Sequence, residues 1–280
     1  MYLPVLPHWV AAQVAAALLE DVGTGDLSAK LIPAHPATAH VISREHCILC
    51  GQPWFNASFT QLDPNTQMTW HVQEGQSITP DTLLCTINGM APSLLSAERT
   101  ALNFLQTLSG TATTVRQYVD AIAGTSAQIV DTRKTLPGFR HAQKYAVSVA
   151  GGTNHRQGLY DGILIKENHI IAAGGILPAL SQAQAIANPG ILLQIEVESL
   201  DQLEEALQAG AKLILLDNFD LPLLREAVQQ TGRRAILEAS GNVSLENVRA
   251  IAETGVARIS IGGLTKHLKA IDLSMRFIKT

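Results

Sequence analysis

The sequence predicts an α/β protein, in which an N-terminal α+β sandwich-like domain precedes an incomplete parallel (β/α) barrel. Two observations support this fold class. The first hundred residues alternate short β-like runs with turns that are rich in Gly, Pro and Asn-Gly. From about Gln128, apolar strand segments instead alternate with helical segments. That alternation is typical of right-handed βαβ units whose parallel sheet is closed or nearly closed into a barrel.

The bulk composition bounds the domain organisation and the class of partner. A chain of 280 residues with 46% hydrophobic residues can bury a large core, and its length favours two domains over one. We place the N-terminal domain at residues 1–110 and the barrel at residues 111–265, and we expect residues 266–280 to pack back on the N-terminal domain. The net charge of −4 argues against binding to nucleic acid or to an anionic membrane, because such proteins are usually basic.

The N-terminal segment and the cysteines indicate a cytoplasmic protein. Val10–Leu19 lacks a basic leader and a convincing cleavage site, so it resembles an ordinary amphipathic helix. No apolar run approaches the roughly 18 to 20 residues that span a bilayer. Cys47 and Cys50 form one CxxC pair in a segment that we predict to run from a strand into a turn, and Cys85 stands alone. We therefore interpret the pair as structural, rather than as a redox motif or half of a zinc site.

The rest of the N-terminal domain contains a hairpin and a long helix. The stretch EGQSITPDTLLCTING resembles the hairpins of biotinyl and lipoyl carrier domains. Such carriers present a modifiable lysine, and none occurs between Trp54 and Pro92, so we predict a β-rich scaffold instead. Ser93–Leu108 has apolar residues at helical spacing, which predicts a helix with Glu98 and Arg99 on its polar side. A solvent-facing pair is the simplest interpretation of those two charges.

A dense group of cations follows in residues 131–169. Five basic side chains are spread over two glycine turns and an apolar strand rather than along one helix face: Arg133, Lys134, His155, Arg156 and Lys166. Guanidinium groups pair bidentately with carboxylate or phosphate, so cations that converge on one pocket suit a small polyanion. The alternative is a solvated basic surface. Because the chain as a whole is mildly acidic, the spacing favours an anion-binding site.

Six predicted strands end in polar residues or glycine, although the strands themselves are almost wholly apolar. These ends are 131–134, 166–169, 196–198, 217–218, 238–241 and 261–263. The carboxyl ends of the strands carry the chemistry in parallel barrels. One polar strand end would be an unremarkable helix cap, whereas six in succession on one rim predict a functional site.

The strand ends fall into three groups with different chemistry. The early ends are cationic and suit carboxylates. Glu196 and Asp217, on neighbouring strands, could hold Mg²⁺, which prefers oxygen ligands and bridges to phosphates. The late ends, at 240–242 and 261–263, are small and rich in glycine, as in loops that bind phosphate through backbone N–H groups. Together they suggest the joining of a small acid to a phosphorylated sugar through an oxocarbenium-like transition state. No Ser-His-Asp motif, Rossmann fingerprint or P-loop stands out.

At these motifs the chain resembles the quinolinate phosphoribosyltransferase (decarboxylating) family, also called nicotinate-nucleotide pyrophosphorylases. The resemblance covers nearly the full length, in the correct order: EDVGTGDLSA, ERTALNFLQTLSGTAT, DTRKTLPGFR, GGTNHRQGLYDGILIKENH, IEVES, LILLDNF, LEASGN and ISIGGLTK. It implies a pentosyltransferase that condenses quinolinate with phosphoribosyl pyrophosphate and Mg²⁺. The implied products are nicotinate mononucleotide, pyrophosphate and CO₂, in de novo NAD biosynthesis.

The resemblance also implies how the acid would be bound. Four side chains would line the quinolinate pocket and hold its two carboxylates: Arg133, His155, Arg156 and Lys166. Arg99 would complete that pocket from the neighbouring subunit of a homodimer, which replaces the solvent-facing interpretation of this residue.

The second substrate has its own implied residues. Phosphoribosyl pyrophosphate and its metal would be bound by Thr132, Lys134, Glu196 and Asp217. The two acids would reach the metal through substrate or water. Those that would cradle the phosphate are Ser240, Gly241, Asn242, Ile261, Gly262 and Gly263. The catalytic roles would fall to Lys134, Lys166, Glu196 and Asp217.

The chain departs from the family pattern at two positions, and three alternatives stay open. It has KENH where the family often shows KDNH, through Glu167, and Asn242 where the family often shows a second Gly. A phosphoribosyltransferase-like relative could act on another acid, although the intact IKENH favours quinolinate. A lyase or aldolase barrel could form a Schiff base at Lys166, but quinolinate offers no ketone or aldehyde. A non-catalytic carrier module would need the lysine that the hairpin lacks.

Overall fold

The computed structural model describes residues 7–278 and divides into two compact units. Of the described residues, the first unit comprises 7–116, 136–151 and 264–278, and the second comprises Gln117–Thr135 and Gly152–Gly263. The predicted boundaries after residues 110 and 265 stay predictions, and this division differs from them by assigning residues 111–116, 136–151 and 264–265 to the first unit. Residues 1–6 of the predicted N-terminal domain and residues 279–280 of the predicted C-terminal segment lie outside the described residues.

The first unit is built on an antiparallel sheet. Its strands are β1 (Pro36–Ser43), β3 (Gln67–Trp70), β5 (Leu83–Met90) and β12 (Leu273–Phe277), in the order β12-β1-β5-β3. A short antiparallel pair joins β2 (Cys47–Ile48) to β4 (Ser77–Ile78). The helices are α1 (Pro7–Asp21), α2 (Gln52–Leu62), the first part of α3 (Ala91–Ala121), α4 (Arg140–Val149) and most of α10 (Gly263–Lys266).

The core of the first unit lies between this sheet and the helices α2 and α3. On α3, apolar side chains at helical spacing are fully buried: Leu94, Ala97, Ala101 and Leu105. They belong to one cluster with strand residues such as Val41 and Ile87 and with Phe55 of α2. The helix predicted over residues 93–108 is therefore confirmed, and it extends further at both ends. The last strand pairs with β1, so that Met275 lies opposite Val41.

The three cysteines are buried free thiols of this unit. Burial raises the pKa of Cys50 well above its ordinary value and raises the pKa of Cys85 to about 12. Reactive cysteines need the opposite shift, because the thiolate is the nucleophile and the metal ligand. Cys47 lies on a strand, as predicted, but α2 begins two residues after Cys50, so the predicted turn leads directly into a helix. The structural interpretation of the CxxC pair agrees with this burial.

The second unit contains one parallel sheet of six strands. The strands are β6 (Gln128–Val130), β7 (Gly162–Ile165), β8 (Leu192–Val197), β9 (Leu213–Asp217), β10 (Ile236–Ser240) and β11 (Arg258–Ser260). Their order is β6-β11-β10-β9-β8-β7. The helices are α5 (Glu167–Ala173), α6 (Ile176–Ile186), α7 (Leu200–Gln208), α8 (Leu221–Thr231) and α9 (Val248–Ala252).

This sheet confirms the predicted fold class. All six predicted strands are present, and each is parallel to its neighbours. Within residues 7–278 the outer strands β6 and β7 do not pair with each other, so the barrel is incomplete. Helices alternate with the strands as predicted, and a short helix of seven residues, α5, directly follows β7. Within the described part of the chain, no helix is both long and apolar enough to span a membrane.

Side-chain alternation gives the strands of the second unit a polar side. On β10, Leu237 and Ala239 are buried apolar residues, while Glu238 and Ser240 point to the opposite side of the sheet. The parallel register places Ser240 beside Asp217 of β9, and it places Glu238 beside Arg258 of β11. Polar side chains from several strands therefore gather on the same side of the sheet.

Candidate active site

A cavity of about 280 Å³ lies at the carboxyl ends of the strands of the second unit. Nine residues predicted from the sequence line it: Thr132, Arg133, Lys134, His155, Arg156, Lys166, Glu196, Asp217 and Ser240. Four further residues complete the lining: Leu164, Leu215, Glu238 and Ser260. A larger groove of about 680 Å³ in the same unit has mostly Ala, Ile and Leu side chains in its lining. The charged side chains needed for polar chemistry converge on the smaller cavity.

The remaining six predicted residues do not line this cavity. Arg99 lies in the first unit, where its side chain is exposed on α3. The other five follow directly after β10 and β11: Gly241, Asn242, Ile261, Gly262 and Gly263. The backbone N–H of Ile261 donates to the Val130 carbonyl oxygen at 3.0 Å, and the Ile261 side chain is buried. Ile261 therefore contributes to the sheet and presents no free N–H to a ligand.

Asp131 fixes the segment that carries His155 and Arg156. This carboxylate is fully buried after the end of β6. One oxygen accepts the His155 backbone N–H at 2.8 Å, and the other accepts the Asn154 side-chain amide at 2.6 Å. The Thr153 backbone N–H donates to the Ile129 carbonyl oxygen at 2.8 Å, which links this segment to β6. Charge-assisted hydrogen bonds to this buried carboxylate thus position the segment that carries His155 and Arg156.

His155 and Arg156 are held by different contacts. The His155 Nδ1 atom accepts the Arg156 backbone N–H at 2.8 Å, and its Nε2 atom lies 2.6 Å from Gln194 Oε1. The Arg156 guanidinium donates to the Gly162 carbonyl oxygen at 2.9 Å. Burial, followed by the positive charge of Arg133, lowers the pKa of Arg156. Two guanidinium groups are therefore held close together at one cavity.

The KENH sequence has a clear structural role at the end of β7. Lys166 is the residue before α5, and its backbone N–H donates to His169 Nδ1 at 3.0 Å. This bond fixes the main chain of Lys166, whose ammonium group donates to Glu196 Oε2 at 2.7 Å. Glu167 lies exposed in the first helical turn, where a negative charge favours the helix dipole. The departure from the more frequent KDNH therefore keeps the charge that this position favours.

The late strand ends have backbone conformations that explain their small residues. A Cβ atom at Gly262 would lie 2.8 Å from Cδ of Lys134, so glycine allows that lysine to lie against the chain. Gly241 has φ +102°, and a side chain there would collide with Asn218. Asn242 has φ 48°, a left-handed conformation that Asn tolerates better than most residues. Asn at this position therefore suits the left-handed backbone that the chain adopts here.

Three polar residues below the rim were given no role from the sequence, although Glu238 was included in one of the polar strand ends. Gln194, Glu238 and Arg258 lie inside strands that otherwise read as apolar, and the first two are fully buried. Each stands two positions before a polar strand-end residue, so it shares the cavity side of its strand. This spacing of two within an apolar run was the sequence feature that could have identified them.

We predict that Asp131→Asn lowers the free energy of unfolding by about 2–4 kcal/mol, because it weakens two buried hydrogen bonds to a charged acceptor. Urea denaturation followed by circular dichroism measures the change. Asp120→Asn, at an exposed position of α3, serves as the control and is expected to change it little. Equal stabilities of Asp131→Asn and the unmodified protein would show that Asp131 does not hold this segment.

The chain matches one family over most of its length. Residues 24–109 match the N-terminal domain of quinolinate phosphoribosyl transferase, and residues 111–276 match its C-terminal domain. A Bacillus subtilis strain 168 relative, named "Probable nicotinate-nucleotide pyrophosphorylase [carboxylating]", is 41% identical over 92% of this chain and 89% of its own length. A Nicotiana glauca relative, named "Quinolinate phosphoribosyltransferase [decarboxylating] 2, mitochondrial", is 37% identical over 93% of this chain and 80% of its own.

A solved structure agrees with these relatives. The nicotinate-nucleotide pyrophosphorylase from Francisella tularensis superposes with a TM-score of 0.95 at 44% identity, covering 98% of both chains. The C-terminal domain match and the superposition extend over the cavity and the strand ends around it. The chain therefore belongs to the quinolinate phosphoribosyltransferase family.

Proposed function

We propose that this protein transfers the phosphoribosyl group from phosphoribosyl pyrophosphate to quinolinate with loss of CO₂. The products are nicotinate mononucleotide and pyrophosphate, as in de novo NAD biosynthesis. Membership of the family supports this activity, together with relatives named as nicotinate-nucleotide pyrophosphorylase and as decarboxylating quinolinate phosphoribosyltransferase. By class the enzyme is a nicotinate-nucleotide diphosphorylase (carboxylating), which is a pentosyltransferase.

The observation that carries the proposal is the pair of neighbouring guanidinium groups. Arg156 lies close enough to Arg133 for the charge of one to lower the pKa of the other. Holding like charges together at a partly buried cavity is unfavourable, and a ligand with two carboxylates removes that repulsion. Lys166, directly after β7, adds a third cation to the same cavity, and Leu164 and Leu215 add apolar surface suited to a flat ring.

The proposed roles of the acid-binding residues follow from their charge. Arg133 and Arg156 bind the carboxylates and orient the ring nitrogen toward the anomeric carbon, and His155 and Lys166 support them. A bond forms from that nitrogen as the bond to pyrophosphate breaks. The alkylated ring is then cationic, so it accepts the electron pair left when the adjacent carboxylate departs as CO₂, and the ring carbon takes up a proton. Positioning supplies most of the rate, and no covalent enzyme intermediate is needed.

The proposed site for the phosphoribosyl group and Mg²⁺ lies on the other strands. Among residues 7–278, no group of three or more His, Cys, Asp or Glu side chains could hold a metal. Mg²⁺ usually takes one or two carboxylates and completes its shell with water and substrate phosphates, so Glu196 and Asp217 fit it. When bound, Mg²⁺ would neutralise charge on the departing pyrophosphate. Lys134 and Thr132 would bind the same group.

The phosphate of the sugar would lie against the late strand ends. We assign this contact to Ser240 and to four residues that have small side chains or a left-handed backbone. These four are Gly241, Asn242, Gly262 and Gly263. Their conformations keep side chains out of the way of a close backbone approach. Ile261 serves only to anchor this loop, because its side chain is buried and its N–H already donates to the Val130 carbonyl oxygen of β6.

We further infer a homodimer in a reducing, cytoplasmic compartment. Arg99 is exposed in the first unit, and in a dimer it would reach the quinolinate pocket of the partner. The three free thiols suit a cytoplasm, where disulfides are rare. Nucleic acid and membrane are not proposed as partners, because the net charge is −4.

A product assay tests the proposed reaction directly. Purified protein is incubated with quinolinate, phosphoribosyl pyrophosphate and Mg²⁺, and nicotinate mononucleotide and CO₂ are measured together. We expect equal amounts of both products, no product from nicotinate, and loss of product when EDTA removes the metal. If the folded protein turned over another acid but not quinolinate, the substrate assignment would be wrong.

We predict that Arg133→Ala raises the KM for quinolinate by about 10- to 100-fold, because it removes hydrogen bonds to a charged carboxylate. Steady-state kinetics with each substrate varied measure the change, and thermal unfolding checks the fold. The matched control is Arg225→Ala on the exposed side of α8, which we expect to leave the KM unchanged. An unchanged KM in Arg133→Ala would remove this residue from the pocket.

Subunit mixing tests the shared site. Arg99→Ala and Lys134→Ala homodimers are each expected to be inactive. After dissociation and reassembly, half of the dimers are mixed and carry one intact site of two, so about a quarter of the unmodified activity should return. Each variant reassembled with itself is the control. A mixture that forms mixed dimers but stays inactive would contradict a site completed by the partner's Arg99.

A further inference from the structure

A largely buried polar cluster lies at and below the cavity, and three of its four members have no role in the reaction proposed above. It consists of Gln194, Glu238 and Arg258 on three strands, together with His155. Gln194 and Glu238 are fully buried, and Glu238 also forms part of the cavity lining. Burying a carboxylate is costly without compensation, which Arg258 provides through its Nε atom at 2.9 Å from Glu238 Oε2. The other carboxylate oxygen, Oε1, faces His155 Nε2 at 3.9 Å.

The His155 ring is held at both nitrogen atoms. Its Nδ1 atom accepts the Arg156 backbone N–H, so the proton of the neutral ring must be on Nε2. Nε2 then donates to Gln194 Oε1 at 2.6 Å. Gln194 alone does not impose this arrangement, because an amide can present either its oxygen or its nitrogen to the ring. Within residues 7–278 the Gln194 nitrogen makes no hydrogen bond that would fix the direction of the amide.

We propose that Glu238 is a positioning residue that fixes the tautomer of His155. An ionised carboxylate can accept a hydrogen bond but cannot donate one, so its charge favours a proton on the nearer ring nitrogen, Nε2. Gln194 then turns its oxygen toward that proton. The opposite nitrogen, Nδ1, is left as an acceptor for the backbone of Arg156. Glu238 therefore acts on the main chain of Arg156 through the imidazole ring.

The consequence concerns the two neighbouring guanidinium groups. Arg133 and Arg156 carry like charges at one cavity, and Arg156 is held there by its backbone bond to His155 and its side-chain bond to the Gly162 carbonyl oxygen. With a proton on Nδ1, the ring would present a donor to the Arg156 N–H, and the bond that holds the backbone would be lost. This step rests on the proposed function, since it assigns the two arginines to quinolinate. Glu238 would thus support the binding of quinolinate and leave that of phosphoribosyl pyrophosphate unaffected.

The tautomer is measured first, in the protein without substrates. The ¹⁵N chemical shifts of the His155 ring are recorded over a range of pH, and the tautomer is determined from the spectra of the neutral ring. A His155→Gln sample identifies the signals among the nine histidines. We expect a proton on Nε2 in the unmodified protein. A proton on Nδ1 there would overturn the proposal, whatever the variants do.

Two variants separate the effect of Glu238 from that of Gln194. Glu238→Gln is expected to give a mixture of both tautomers. Gln194→Leu keeps the carboxylate and is expected to retain the proton on Nε2. If Glu238→Gln keeps a single tautomer, Gln194 or the Arg156 backbone decides the tautomer and the proposal fails. The proposal also fails if Gln194→Leu loses the proton on Nε2, because the carboxylate alone then does not hold the proton there. Should Glu238→Gln not fold, loss of the Nε2 proton in Gln194→Leu would still overturn the proposal.

Kinetics test the consequence for binding. Glu238→Gln should raise the KM for quinolinate roughly tenfold, as for other groups that orient a binding residue, with the KM for phosphoribosyl pyrophosphate within about twofold. Glu204→Gln, which removes a carboxylate from an exposed pair with Arg234, is the matched control and should change neither value. Equal rises in both KM values would indicate general damage and contradict the proposal. If the unmodified protein did not use quinolinate, the proposed function would fail, while the tautomer result would stand.

Discussion

The alternation of side chains along the parallel strands is the constraint on which the site depends. Successive residues of a strand point to opposite sides, so one strand can bury apolar residues against helices and still present polar residues to a cavity. On β10 this separates Leu237 and Ala239 from Glu238 and Ser240. Repetition of the pattern on neighbouring strands in parallel register brings acids, cations and small residues to one cavity.

The polar side of the sheet is held by contacts that compensate its burial. Asp131 accepts two hydrogen bonds, and Glu238 faces Arg258. Asp131 holds the segment that carries His155 and Arg156, while Glu238 balances Arg258 and faces His155. Such an arrangement costs stability, because buried charges gain less from pairing than they lose in hydration. The apolar side of the sheet and the core of the first unit supply the burial that offsets this cost.

Several conspicuous sequence motifs act through the backbone. In KENH, His169 accepts the Lys166 N–H, so the motif fixes the direction of the lysine. In the late loop, Gly262 allows Lys134 to approach closely. Asn242 adopts the left-handed conformation in which the family often has glycine. These positions tolerate only residues that satisfy the local geometry, which explains why a departure such as Asn242 keeps the loop intact.

The sequence by itself determined the fold class, the order of strands and helices, and most of the cavity lining. Hydrophobic periodicity and turn residues act locally, and polar residues at strand ends mark the rim of a parallel barrel. It did not reveal the role of Glu238, Gln194 and Arg258, nor that residues 136–151 belong to the first unit. Those features depend on strand order and register, in which residues far apart in the chain become neighbours. Only the tertiary structure decides such contacts, because no local pattern encodes which strands pair.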